Sequence, residues 1–202
     1  DKDWSQSDTL NATIGQGYVQ VSPLQLAVLA ARLASGKMLQ PYLIEGQQKP
    51  VKPLAIPAEH LAVVREGMDL VVNGAGTAVR SRLPFDNIRM AGKTGTAQVR
   101  KIAGAQRGQS GAWKYRDHGL FVFFTPVDRP KYAGAVVIEH GMGGARAAAP
   151  VAKSMMTYMF DPAKGMEELT ALEAGWGGDV NTRMAAKAAT WASTSAQRAA
   201  EE

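Results

Sequence analysis

One tetrapeptide combines residue types suited to holding an anionic ligand with a reactive carbonyl: Lys93-Thr94-Gly95-Thr96. The ammonium supplies charge, and the hydroxyls supply directional hydrogen bonds to a carboxylate. A glycine within a strand lets another backbone or a ligand approach closely. A backbone N–H beside it can stabilise the oxyanion of a reacting carbonyl. The same four residues also suit a polar strand or turn that carries no chemistry. Other candidates fail at identifiable positions. Gly92-Lys93-Thr94 matches the end of a phosphate-binding loop, but Asn87 stands where that loop needs its first glycine. Gly141-Met142-Gly143 lacks the third glycine of a dinucleotide fingerprint. His60, His118 and His140 lie far apart without paired spacing, so no metal site is expected. No Gly-x-Ser-x-Gly elbow occurs.

The elements that must position this tetrapeptide are well punctuated. Ser22-Pro23-Leu24-Gln25 reads as a helix start, with a Ser cap, Pro at the first position and Gln three residues after the cap. Leu26, Leu29, Ala30 and Leu33 form its apolar stripe, and Gly36 stands where a C-terminal cap belongs. A second helix is expected from about Ala58 to Val72, with Leu61, Val64, Met68 and Val71 on one face and Asn73-Gly74 closing it. Three strands are expected at Arg89–Val99, Gly119–Thr125 and Tyr132–Glu139, the last two joined as a hairpin by a turn containing Pro126, Asp128 and Pro130. After a bend at Gly141, Gly143 and Gly144, Pro150–Phe160 reads as a helix with Val151, Met155 and Met159 inward. Helices, then antiparallel strands, then a helix indicate a layered α+β domain.

Composition bounds the rest. The 202 residues are 46% hydrophobic and 20% charged, an ordinary globular balance. The absence of cysteine excludes disulfide scaffolds, thiol nucleophiles and cysteine-bound zinc or iron–sulfur clusters. No apolar run is long enough to span a membrane, and no signal peptide is visible. The net charge of +5 is uneven. From Asp161 onward seven acidic and four basic residues leave −3, so residues 1–160 carry +8. That last segment holds eleven Ala and no Ile or Phe, so it is expected to be a largely helical or disordered tail of short helices. Trp176 and Trp191 are its candidate docking points. The division expected is therefore 1–160 and 161–202.

Longer blocks surround the tetrapeptide. They are Gly15-Gln16-Gly17-Tyr18 leading into Ser22-Pro23-Leu24-Gln25-Leu26-Ala27, Ala91-Gly92 and Ala97-Gln98-Val99 as flanks, His118–Pro126, and Ala135–Gly141. Together, and in this order, they resemble the C-terminal part of the transpeptidase domain of class B penicillin-binding proteins, closest to the penicillin-binding protein 2 subgroup of cell-elongation enzymes. The resemblance implies a serine transpeptidase/β-lactamase-like fold, an antiparallel sheet flanked by helices, with five strands in the family. It also implies a peptidoglycan D,D-transpeptidase that cross-links stem peptides through a serine acyl-enzyme and is acylated by β-lactams. Lys93 would hold the substrate carboxylate and tune proton transfer. Thr94 and Thr96 would bond that carboxylate, the Thr96 N–H would supply half of the oxyanion hole, and Gly95 would keep the strand clear for the donor peptide. No cofactor or metal is implied.

The family's Ser-x-x-Lys nucleophile motif and its Ser-x-Asn motif are both missing from this sequence. The expectation is a rear portion of a catalytic domain, inactive alone, whose parent carries the serine and a membrane anchor and works in the periplasm. Implied partners are peptidoglycan stem peptides, β-lactams and a membrane-embedded glycosyltransferase of the elongation machinery. Two other readings are a non-catalytic binding module and a fragment of a β-lactamase-like hydrolase. The loop from Arg100 to His118, with Lys101, Arg107, Lys114 and Arg116 beside Trp113 and Tyr115, reads as a solvated basic loop, a lid over the groove, or a contact for an anionic glycan, lipid or partner protein. No nucleic-acid module is recognisable in it.

Overall fold

The structure, a computed structural model, describes residues 3–99 and 112–201. It divides into two compact units, Asp1–Lys153 and Ser154–Glu202. Among the described residues no helix is long and apolar enough to cross a membrane.

The first unit is built on a three-stranded antiparallel sheet in the order β1 (Ala91–Ala97), β2 (His118–Thr125), β3 (Tyr132–Ile138). All three fall within a residue or two of the strands expected from the sequence. Lys93 lies opposite Val122, Gly95 opposite Leu120 and Thr96 opposite Gly119. β2 is the central strand and is covered on both faces, which is why it reads as an almost unbroken apolar run. Phe124 packs with Ala91 against Ala34 and Met68, on the face covered by helices α2 (Pro23–Ser35) and α3 (Ala58–Asn73). Phe121 and Phe123 point to the opposite face, their rings stacked 6.0 Å apart. There a single π-helical turn, Gly144–Ala148, covers the strands.

Local chemistry explains the element ends. The Ser22 hydroxyl accepts from the Gln25 N–H while the Gln25 side chain accepts from the Ser22 N–H, with Pro23 at the first helical position. Gly36 closes α2 in the left-handed region at φ 69°. Helix α1 (Gln6–Thr13) was not foreseen, although the Ser5–Asp8 spacing of its capping box is in the sequence. Two helical faces are rotated from expectation. On α3 the buried positions are Leu61, Met68 and Val72, while Val64 is exposed. Arg65 lies on the inward side instead, its Nε donating to the Leu33 carbonyl at 2.7 Å, so a guanidinium takes the place expected of an aliphatic residue. On α4 (Ala149–Phe160) the buried side chains are Ala149, Ala152, Met156 and Thr157, and Val151, Met155 and Met159 are exposed. Ranking residues by hydrophobicity missed this face because small alanines form half of it.

Arg89 ties three elements together at the start of β1. It forms ion pairs with Asp69 of α3 and with Asp128 of the β2–β3 turn. Its carbonyl accepts from the Val127 N–H at 3.0 Å and from the buried Thr125 hydroxyl at 3.1 Å.

In the second unit α5 (Pro162–Gly175) starts at the Asp161 cap, and Gly165 meets Tyr158 so closely that a Cβ would lie 2.5 Å from its Cα. Helix α6 (Val180–Glu201) runs 22 residues, not the short helices expected. Ala-rich sequence without an interior breaker sustains that length. Trp176 lies under the Arg183 guanidinium at 5.2 Å, whereas Trp191 is 74% exposed. Asp179 caps α6, its carboxylate accepting from the Thr182 N–H at 2.7 Å. The bonds from the Thr182 backbone and side chain hold its carboxyl below the usual Asp value. A depressed pKa stabilises the helix end above the unfolded-state value, and that contribution is lost as pH falls through the folded one. NMR titration is expected to show Asp179 protonating at lower pH than an unstructured Asp, with the amide shifts of Thr182 and Arg183 moving in step. Substitution Asp179→Ala should remove both effects.

Candidate active site

The tetrapeptide lies along the edge of the sheet. β1 pairs with β2 on one side, and the other side carries no strand among the described residues. In an antiparallel strand alternate residues turn their N–H and C=O to opposite sides. Three contacts show which residues face the open edge. The Lys93 Nζ donates to the Thr94 carbonyl at 2.7 Å, Gln16 Nε2 donates to the Thr96 carbonyl at 2.7 Å, and the Gln98 N–H donates to Gln16 Oε1 at 3.4 Å. Residues 94, 96 and 98 therefore present their backbone to the edge, and 93 and 95 bond β2. The Thr96 N–H points outward, which is the direction an oxyanion donor requires.

Side chains alternate likewise between the two faces. Lys93 and Gly95 lie on one, Thr94 and Thr96 on the other. Lys93 is exposed and Thr94 half-buried. A Cβ on Gly95 would make ordinary contact with Leu120 at 3.4 Å, so packing among the described residues does not require glycine there. Gly92 and Gly144 are different. A Cβ on Gly92 would lie 2.3 Å from the Phe121 ring, and one on Gly144 would lie 1.9 Å from the Leu120 carbonyl oxygen. The π-helical turn thus sits directly on the backbone of the strand that carries Lys93–Thr96.

Two neighbours of the tetrapeptide were not foreseen as site residues. Gln16 stands between Gly15 and Gly17, both in the left-handed region at φ 74° and 72°. Its side-chain amide bridges Thr96 and Gln98 as a short piece of added strand would. Thr77, in the turn after α3, places its hydroxyl 2.8 Å from that of Thr94. Contacts spanning 80 and 17 residues leave no trace in local patterning.

The histidines, spaced too far apart in sequence to suggest a pair, are partly brought together. The rings of His118 and His140 lie 4.8 Å apart, the His140 N–H donates to His118 Nδ1 at 2.9 Å, and Trp113 packs on His140 at 4.2 Å. His140 Nδ1 meets the Arg116 carbonyl at 2.8 Å, so these rings tie the β2 entry to the bend after β3. Of the basic loop, Arg100, Lys101 and Arg107 lie outside the described residues. Trp113–Tyr115 form one 3-10 turn, with Lys114 over the Tyr115 ring at 5.0 Å.

Comparisons with known proteins identify the family. Residues 1–157 match the family model of the penicillin binding protein transpeptidase domain. The peptidoglycan D,D-transpeptidase MrdA of Haemophilus influenzae is 34% identical over 169 residues, covering 77% of this chain and 26% of that protein. MrdA of Acinetobacter baumannii is 36% identical over 170 residues, covering 77% and 25%. The structure of Helicobacter pylori PBP2 in complex with MreC superposes with a TM-score of 0.67 at 31% identity, over 79% of this chain and 29% of that one. Pseudomonas aeruginosa PBP2 in complex with WCK 5153 gives 0.60 at 34% identity, over 81% and 35%. The chain spans about a quarter of the length of these curated relatives. Most of its length matches the family model, so the chain belongs to the penicillin-binding protein transpeptidase domain family, alongside PBP2-type (MrdA) members.

Proposed function

We propose that the chain is residues 1–160 of a peptidoglycan D,D-transpeptidase domain, followed by a helical appendage over 161–202, and that it supplies the substrate-binding edge of the catalytic centre. The observation that carries this reading is the edge of β1, which pairs with no further strand among the described residues and where Thr94, Thr96 and Gln98 turn their backbone groups outward, met there by the side chains of Lys93 and Gln16. A stem peptide or a β-lactam can add there as another strand. Lys93 and the Thr94 and Thr96 hydroxyls hold its carboxylate, and the Thr96 N–H faces the carbonyl oxygen.

The serine comes from the remainder of the polypeptide, since no Ser-x-x-Lys occurs in this sequence. Its oxygen attacks the carbonyl, and the leaving amine departs with a proton. The amine of a second stem peptide then takes the acyl group and regenerates the serine. On this reading the parent protein works in the periplasm from an inner-membrane anchor, together with a membrane-embedded glycosyltransferase. MreC, seen with the Helicobacter pylori relative, is a further candidate partner.

Incubating the complete polypeptide and the 202-residue chain separately with a fluorescent penicillin tests this. The complete polypeptide is expected to carry label that survives denaturation, and the chain alone none. Label on the chain alone overturns the claim that its nucleophile lies elsewhere. An unlabelled complete polypeptide overturns the transpeptidase reading.

A further inference from the structure

We propose that Thr77 is a positioning residue for the carboxylate-binding hydroxyl of Thr94, an inference that rests on the transpeptidase reading above. The turn that presents it is held from several sides. The Arg82 side chain donates to the carbonyls of Val72 at 3.1 Å, Gly74 at 3.0 Å and Asn73, gathering the C-terminal carbonyls of α3. Asn73 Nδ2 donates to the Met90 carbonyl at 2.9 Å, tying the same turn to the residue before β1. The Ala78 N–H returns to the Val71 carbonyl at 3.0 Å. Gly76 is pressed onto Val71 so closely that a Cβ would lie 2.3 Å from its Cα. All of this fixes an exposed threonine with its hydroxyl 2.8 Å from Thr94 Oγ1.

The chemistry of two hydroxyls gives the contact a direction. Each hydroxyl has one proton to donate and lone pairs to accept with. Once Thr94 gives its proton to a ligand carboxylate, its oxygen still accepts, and the Thr77 hydroxyl is within reach to donate. The chain Thr77 O–H to Thr94 O–H to carboxylate then runs one way, and each bond polarises the next. Without Thr77 the Thr94 hydroxyl is free to rotate and to aim its proton elsewhere. Thr77 therefore acts on carboxylate recognition, through Thr94, and not on the reacting carbonyl.

The test uses the complete polypeptide and two probes, benzylpenicillin and its methyl ester, which lacks the carboxylate charge. Thr77→Val keeps the branched shape and removes the hydroxyl. It is expected to slow acylation by the acid by up to about tenfold, the scale of one neutral hydrogen bond. The ester should react with both proteins at rates within about twofold, and Thr77→Ser should restore most of the acid rate. Melting temperatures of both variants establish that each is folded. An unchanged acid rate, or equal losses for acid and ester, overturns the proposal. Thr94→Val separates the two levels of inference. If it abolishes the preference for the acid while Thr77→Val does not, only the role of Thr77 fails. If neither variant alters that preference, the reading of the site fails with it.

Discussion

Replacing Lys93 by alanine in the complete polypeptide is expected to slow acylation by benzylpenicillin by about two to three orders of magnitude. Two contributions bear on the rate. A hydrogen bond to a charged group contributes roughly 1.5–3 kcal/mol, and removing it also removes a positive charge facing the ligand carboxylate. A preorganised charge beside the reacting carbonyl contributes further as the oxyanion develops, and losing one such stabilising group costs about 10²–10³ in rate. The two overlap, so the larger of them sets the expectation.

Stability should hardly change in this variant. The Lys93 side chain is exposed and bonds the carbonyl of the next residue, a contact made at the surface. Surface substitutions of that kind stay within about 0.5 kcal/mol. Lys93→Met, which keeps the aliphatic stem, should match alanine, and Lys93→Arg should recover part of the rate because the charge returns with a different fork. Stopped-flow or gel-based acylation rates read the result. Near-normal acylation of Lys93→Ala would remove the residue from the site.

What the sequence disclosed follows the range of each interaction. The Ser22 cap, Pro23, Gly36 and the Pro126–Pro130 turn are decided by neighbours a few residues away, and α2 and the β2–β3 hairpin appeared where expected. The Lys93–Thr96 tetrapeptide was legible because its residue types are informative together. Its partners were not. Gln16 reaches the strand from 80 residues upstream, and Thr77 acquires its meaning only when Arg82 and Asn73 fold the α3 turn against β1. Helix faces were read correctly where bulky residues mark them, as with Leu61 and Met68, and wrongly where Arg65 or a pair of alanines does the packing. Alanine is compatible with burial and exposure alike, so periodicity carries little information on α4 and α6.

Two glycine-to-alanine substitutions in the first unit are expected to have opposite signs, and Gly144→Ala is the most damaging single methyl group we can place. Its Cβ would lie 1.9 Å from the Leu120 carbonyl oxygen, 2.7 Å from the Gly95 oxygen and 2.9 Å from the Gly95 nitrogen. All three atoms are strand backbone, held in the β1–β2 register where Gly95 faces Leu120, so no side chain can rotate away to make room. Either the π-helical turn lifts off the sheet or β1 and β2 separate at that pair. Overpacking a well-packed interior costs typically 1–3 kcal/mol, and a clash with backbone belongs at or beyond the upper end. Gly67, exposed in the middle of α3, has nothing within 4 Å of its Cβ position, and alanine there should stabilise by about 0.5–1 kcal/mol through helix propensity. Urea denaturation of the complete polypeptide measures both. Because the Gly144 clash falls on Gly95, any folded Gly144→Ala protein should also acylate slowly, with the Thr96 N–H displaced from the ligand carbonyl. Gly67→Ala should acylate normally. If Gly144→Ala proved as stable and as reactive as the parent, the turn could not rest on the strand as described, and β1 would need another support.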